Sequence, residues 1–84
     1  MNKEELISRL KKIIKPYVQN QEAFENLSEE TDFIKDLKIN SANLVDIILD
    51  VEAAYNIEID NESMEKMLTV GEAMNIIRMK LNQT

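Results

Sequence analysis

The chain has 84 residues, no cysteine, no histidine and a formal net charge of −6. These absences exclude disulfides and thiolate metal sites and remove the most common general base, which argues against an enzyme. No apolar run approaches the about 20 residues of a membrane span, and residues 1–5 do not form a secretory signal, so we expect one cytoplasmic domain over residues 1–84.

The first segment has the apolar spacing of an amphipathic helix. Its apolar stripe consists of Leu6, Ile7, Leu10, Ile13, Ile14 and Tyr17. Asn2 followed by Glu5 predicts a capping pair at the start, and Pro16 disfavours helical geometry at Lys15. We therefore expect the first helix to end near residue 15.

A long connection follows over residues 18–40. We expect it to pack against the helices, because a structureless connection of this length is unusual in a small domain. The expected anchors are Phe24, Leu27, Phe33, Ile34 and Leu37. Ser28 or Asp32 should start a helical turn within it.

Residues 41–55 form the most strongly patterned helix, with two apolar stripes at about 100° per residue. The broad stripe, expected to face the core, holds Leu44, Ile47, Ile48, Val51 and Tyr55. Val45 and Leu49 lie outside it, on the same side as Ser41, and we call this pair the apolar ridge. The ridge is interpreted as a docking surface, with the alternative that the long connection covers it.

Acidic residues border the ridge on both edges. Asp46 and Asp50 lie along one edge and Glu52 along the other, and residues 26–65 together carry a net charge of −9. A negative surface repels nucleic acids and anionic membranes and favours basic patches on proteins. The alternative is an acidic face that serves only solubility.

Two further helices complete the pattern. Asp60 or Asn61 should cap a short helix that carries Met64 and Met67 inward. Thr69 and Glu72 have the spacing of a capping box. The stripe of the last helix holds Val70, Ala73, Met74, Ile77 and Leu81. The predicted fold is all-α, a small four-helix bundle with a short third helix and a long packed loop between the first two helices.

Ser41 stands at the start of the patterned helix, and two roles are open to it. A serine in this position is most often an N-cap, whose side-chain oxygen accepts a hydrogen bond from a first-turn N–H. The other role is an attachment point for a covalently bound group.

The chain resembles the acyl carrier proteins of fatty-acid and polyketide synthesis over nearly its whole length. The resemblance is carried by residues 32–37 before the serine, 45–49 in the second helix and 52–59 at its end. In that family a serine in an Asp-Ser-Leu motif carries 4′-phosphopantetheine. The resemblance implies that Ser41 carries this group and that a phosphopantetheinyl transferase attaches it. Asn40, as N-cap, would leave the Ser41 hydroxyl free.

The resemblance also implies a partner surface and a cargo pocket. Its partners would be acyl-transferring and condensing enzymes with basic patches, bound by a monomeric carrier. The implied partner-binding residues are Asn40, Ala42, Val45, Asp46, Leu49, Asp50 and Glu52. The pocket for the acyl chain would be lined by Ile48, Ile59, Met64 and Met67, which could equally be ordinary core residues.

Several positions depart from the family pattern. Asn40 and Ala42 replace the usual aspartate and leucine of the motif, and Asn43 and Ala53 replace acidic residues of the second helix. These changes suggest a carrier that serves a specialised pathway. Two alternatives stay open: an aminoacyl or peptidyl carrier of the same architecture, and an unmodified helical adaptor that binds a basic partner.

Overall fold

The computed structural model describes residues 2–82, which fold into a small bundle of helices. The helices are α1 (Lys3–Ile14), α2 (Gln21–Glu25), α3 (Ser41–Tyr55), α4 (Asn61–Lys66) and α5 (Val70–Asn82), and a 3₁₀ turn, Lys15–Tyr17, follows α1. The predicted all-α bundle is confirmed, with α1, α3, α4 and α5 as its four expected helices. None of the helices within residues 2–82 has the length and apolar character needed to cross a bilayer.

Helix α1 begins and ends where its sequence predicts. The Asn2 side-chain oxygen accepts a hydrogen bond from the Glu5 backbone N–H at 2.8 Å, which caps the first turn. The α-helix gives way to the 3₁₀ turn at Lys15, directly before Pro16. Leu6, Leu10 and Ile14 are buried, so one stripe of α1 faces the core; Ile7, Ile13 and Tyr17 are partly buried beside it.

The long connection contains a helix that was not predicted. Helix α2 begins after Asn20, whose side-chain oxygen accepts a hydrogen bond from the Ala23 N–H at 3.2 Å. Five residues make little more than one turn, which is too short for an apolar period to be recognised. Phe24 and Leu27 are only partly buried, so this half of the connection lies against the core without entering it.

The second half of the connection packs more tightly. Asp32 starts the predicted turn: its carboxylate accepts hydrogen bonds from the N–H groups of Ile34 and Lys35, each at 2.8 Å. Phe33 and Leu37 are buried as expected, whereas Ile34 is only partly buried. These contacts fix the chain shortly before it enters α3.

The start of α5 is joined to this connection through the backbone. The Phe33 N–H donates to the Leu68 carbonyl at 3.0 Å, and the Gly71 N–H donates to the Glu29 carbonyl at 2.8 Å. A Cβ at position 71 would lie 2.9 Å from that carbonyl oxygen, so only glycine allows this approach. The connection is therefore held by α5 and by the residues that lead into it.

The two stripes of α3 are separated as predicted. Ile47, Ile48, Val51 and Tyr55 are buried, whereas Val45 and Leu49 are 51% and 57% exposed. The alternative that the long connection covers the apolar ridge is therefore wrong. Leu44 was expected in the core but is only partly buried, because it lies in the first turn of α3, at the end of the bundle.

Helices α4 and α5 also have the predicted caps. The Asp60 carboxylate accepts a hydrogen bond from the Ser63 N–H at 2.7 Å, and the Thr69 hydroxyl oxygen accepts one from the Glu72 N–H at 3.2 Å. Met67 is buried and Met64 is partly buried. In α5, Val70, Ala73, Met74 and Ile77 are buried as expected; Leu81, near the end of the helix, is only partly buried, and Ile76 is additionally buried.

We predict that Asp60 makes the stability of the fold depend on acidic pH. Hydrogen bonds from Ser63 lower the pKa of Asp60, and the Lys80 ammonium, 3.5 Å away, lowers it further. A carboxylate with a lowered folded-state pKa stabilises above its ordinary pKa, and this contribution disappears as the pH falls through the lowered value. Asp60→Asn keeps a capping oxygen but loses the charge. Urea unfolding between pH 6 and pH 3 should show the variant less stable at pH 6, with the difference shrinking toward pH 3; a constant difference would contradict the prediction.

Candidate functional site

Ser41 is the first residue of α3, and its hydroxyl is free. The cap is Asn40, whose side-chain oxygen accepts a hydrogen bond from the Ala42 N–H at 3.0 Å and whose carbonyl accepts one from the Asn43 N–H at 2.8 Å. The Ser41 side chain is exposed, and its hydroxyl makes no hydrogen bond to any residue between 2 and 82. The alternative that Ser41 is the N-cap is therefore wrong.

The backbone before Ser41 is fixed by contacts on both sides. Ile39 is buried, and its N–H donates to the Phe33 carbonyl at 3.1 Å. The Leu37 carbonyl accepts hydrogen bonds from the N–H groups of Gln19 and Asn20, both at 3.1 Å. Between these anchors, Lys38 has a positive φ of 59°. Ser41 is consequently presented by an anchored segment although it lies at the surface.

The N-terminus of α3 suits a negatively charged group. The first turn of a helix has unpaired N–H groups and a partial positive charge, which favour a phosphate there. The first turn of α3 contains no acidic residue, because Asn40 and Asn43 are neutral. No carboxylate of this turn would repel a phosphate on Ser41.

The apolar ridge and its acidic neighbours are brought together on one surface of α3. Ala42 and Ala53 are exposed on the same side as the ridge, as the helical pattern predicts. Asp46 and Asp50 are exposed, and the Asp50 carboxylate accepts a hydrogen bond from the Tyr17 hydroxyl at 3.2 Å. The structure therefore combines exposed apolar side chains with nearby carboxylates in the part of the chain that follows Ser41.

Tyr17 was not anticipated as a neighbour of this surface. Partial desolvation raises the pKa of Tyr17, and the hydrogen bond to Asp50 and the charges of Asp50 and Asp46 raise it further. Both carboxylates are thus close enough to act on the phenol. Residues 17 and 50 lie far apart in the chain, and no local pattern could have paired them.

Glu52 has a different environment from the other two acids. It is partly buried, and its carboxylate accepts a hydrogen bond from the Ile59 N–H at 2.7 Å. Its carbonyl also accepts hydrogen bonds from the N–H groups of Asn56 and Ile57, with Asn56 in the left-handed region at a φ of 54°. Glu52 therefore fixes the connection between α3 and α4 through these hydrogen bonds. The sequence did not predict this role for Glu52.

The four residues expected around an acyl chain all belong to the apolar core or to its margin. Ile48 and Met67 are buried in the core, and Ile59 and Met64 pack against it, partly buried. They come from α3, α4, the residue that follows α4 and the connection before it. Flexible methionines at the boundary of a core can rearrange around an added apolar group.

Comparison with known proteins shows similarity to acyl carrier proteins over nearly the full chain. The acyl carrier protein of Thermotoga maritima is 34% identical over 80 residues, covering 95% of this chain and 96% of that protein. Those of Desulforapulum autotrophicum and Petrotoga mobilis are 37% and 33% identical, over 87% and 98% of this chain and 94% of each relative. No family model matches the chain.

Proposed function

The chain belongs to the acyl carrier protein family, and on that premise we propose that residues 1–84 form one carrier domain with 4′-phosphopantetheine attached to Ser41. Members of this family are carriers and not enzymes. They hold acyl groups on this covalently attached group and interact with a phosphopantetheinyl transferase and with biosynthetic enzymes. We further propose that the protein is a monomeric cytoplasmic carrier that serves fatty-acid or specialised, polyketide-like synthesis.

The exposed, unbonded hydroxyl of Ser41 supports the attachment site most directly. Because Asn40 takes the capping role, the Ser41 oxygen can form a phosphodiester without removing a hydrogen bond from α3. The first-turn N–H groups and the absence of acidic residues in that turn favour the phosphate. The other three serines fit less well, because Ser63 is buried, the Ser28 hydroxyl lies 3.4 Å from the Thr31 hydroxyl in a hydrogen bond, and Ser8 lies in the interior of α1, away from a helix N-terminus.

The chain's own residues contribute position and not catalysis. Ser41 supplies the oxygen of the phosphodiester, and as its bond to phosphorus forms, the bond between that phosphorus and the rest of the phosphopantetheine donor breaks and the remainder of the donor leaves. The transferase takes up the hydroxyl proton, because no imidazole is present in the chain and no carboxylate among residues 2–82 accepts a hydrogen bond from Ser41. When attached, the group supplies a thiol that holds the acyl chain as a thioester. Asn40 continues to cap the first turn of α3 during this modification. The apolar ridge gives the transferase a contact surface next to the serine.

Ser41→Ala should abolish attachment of the group completely. The wild-type chain, co-expressed with a broad-specificity phosphopantetheinyl transferase, should gain the mass of one 4′-phosphopantetheine group, measured on the intact protein. Ser28→Ala is the matched control and should be modified like the wild type, because Ser28 lies outside α3. Modification that survives in Ser41→Ala, or no modification of the wild type by several transferases, would contradict the proposal.

A further inference from the structure

Lys38, three residues before Ser41, has a backbone conformation that lysine rarely adopts. Its φ of 59° lies in the left-handed region, where the Cβ of most residues is crowded and where glycine or asparagine is preferred. Asn56, the other residue with a positive φ among residues 2–82, matches this preference. Lysine at position 38 therefore costs the fold some stability that glycine would not.

The backbone on both sides imposes this conformation on Lys38. The Leu37 carbonyl accepts two hydrogen bonds from the segment that follows the 3₁₀ turn, each at 3.1 Å, and the Ile39 N–H donates to the Phe33 carbonyl at 3.1 Å. These are backbone bonds, so they would hold any residue at position 38 in the same way. The fold thus explains the conformation and does not explain why the side chain is that of lysine.

The Lys38 ammonium has no partner in the part of the chain that the structure describes. Lys38 is exposed, and its side chain forms no ion pair or hydrogen bond with any residue between 2 and 82. By contrast, Lys3, Lys66 and Lys80 each pair with a carboxylate. The carboxylate of Asp36, two residues before Lys38, instead accepts a hydrogen bond from a backbone N–H. The charge of Lys38 is therefore available to a group that is not part of the fold.

A phosphate on Ser41 would be within reach of this ammonium. Consecutive Cα atoms lie about 3.8 Å apart, so those of residues 38 and 41 are separated by at most about 11 Å. The long lysine side chain and a phosphate beyond the serine oxygen can together bridge this separation. Residues 26–65 carry a net charge of −9, with Lys35 and Lys38 as their basic residues. A phosphate therefore enters the most acidic part of the chain, where Lys38 is the closest cation along the sequence.

We propose that the Lys38 ammonium is the counter-ion of the phosphate on Ser41 and positions the first part of the attached group at the N-terminus of α3. This inference rests on the proposed function. The ammonium adds a full positive charge to the partial charge of the helix N-terminus, which by itself favours a phosphate only weakly. Lys38 is a positioning residue, since it takes no part in forming the phosphodiester.

Phosphorus NMR of the chain loaded on Ser41 tests the contact directly, because a phosphodiester does not titrate near neutral pH. Lys38→Gln removes the ammonium but keeps an unbranched side chain in the left-handed conformation. Lys12→Gln is the matched control: Lys12 is exposed in α1, forms no ion pair within residues 2–82 and loses the same charge. At about 0.15 M salt, where charges more than about 8 Å apart are largely screened, the ³¹P resonance should shift in Lys38→Gln and not in Lys12→Gln. Raising the salt to about 1 M should move the wild-type resonance toward that of Lys38→Gln.

Thermal unfolding separates the charge of Lys38 from its backbone strain. The change in melting temperature on loading should be less favourable by about 1–8 °C in Lys38→Gln than in the wild type, and Lys38→Arg should restore it. Lys38→Gly should behave differently in the two forms. Its unloaded form should melt above the unloaded wild type, because glycine is unstrained at this φ, yet it should lose the same share of the loading effect as Lys38→Gln.

The outcomes distinguish this inference from the proposed function. If the wild type is loaded on Ser41 but its ³¹P resonance and its loading effect equal those of Lys38→Gln, Lys38 is not the counter-ion and the carrier function stands. If Lys12→Gln changes both quantities as much as Lys38→Gln does, the effect is one of net charge, which also overturns the inference. If the wild type is not loaded at all, the proposed function fails and this inference fails with it.

Discussion

Ile48→Ala should lower the free energy of unfolding by about 2–4 kcal/mol. Ile48 is 6% exposed and belongs to the central apolar cluster of the bundle. Truncating it removes buried methyl and methylene groups and leaves a cavity that the surrounding helices fill only in part. In an 84-residue chain, where a typical stability is about 5–10 kcal/mol, this is a large fraction of the total.

The adjacent residue provides a matched control. Leu49 follows Ile48 in the same helix but is 57% exposed, so Leu49→Ala should cost less than about 1 kcal/mol. Both substitutions leave alanine in the interior of α3, and helix propensity therefore changes little in either. Urea unfolding of the two variants measures the difference. Equal losses would show that the two stripes of α3 are assigned to the wrong faces.

The stripes of α3 could be predicted because the helix is long enough to show its period. Fifteen residues make about four turns, and over that length the core-facing and outward-facing apolar residues separate clearly. The caps were also predictable, since an Asn or Asp before a helix and its bonded N–H are only two or three residues apart. Asn2, Asn40 and Asp60 all bond locally in this way.

The features that could not be predicted from the sequence depend on short helices or on contacts between residues far apart in the chain. Helix α2 spans only five residues, so its cap at Asn20 had no apolar period beside it to mark a helix. The bond from Tyr17 to Asp50 joins residues 33 positions apart. The bond from Ile59 to Glu52 depends on how the chain turns after Asn56. Each requires knowledge of the folded path, which local patterns do not supply.

This difference matters for the partner surface. The helical pattern places Asp46, Asp50 and Glu52 around the apolar ridge as three similar acids. The structure shows three different environments, because the neighbours of each acid come from other parts of the chain. The position of a charge on a helix was therefore predictable, whereas its availability to a partner was not.

Loading a saturated ten-carbon acyl chain on the Ser41-linked group should raise the melting temperature relative to the acetyl form. The two chains differ by eight CH₂ groups, and full withdrawal of these from water would contribute an upper bound of about 6 kcal/mol. Ile48 and Met67 already fill the core, so the acyl chain must displace side chains. Only part of this free energy therefore adds to the stability of the fold. A net gain of about 1 kcal/mol would raise the melting temperature of a domain this size by about 4–8 °C.

The methionine methyl signals show where the chain goes. Met64 lies in α4 and Met67 directly after it, and both belong to the apolar core or its margin, whereas Met79 is 47% exposed on α5 and serves as the internal control. A chain that enters between the helices should shift the methyl resonances of Met64 and Met67 and leave that of Met79 unchanged, since only the first two adjoin the expected path. Calorimetry and methyl spectra of the two acyl forms test this together. Equal melting temperatures with unshifted Met64 and Met67 signals would mean that the acyl chain stays in solvent. The natural cargo of the protein would then be shorter or more polar than a fatty acyl group.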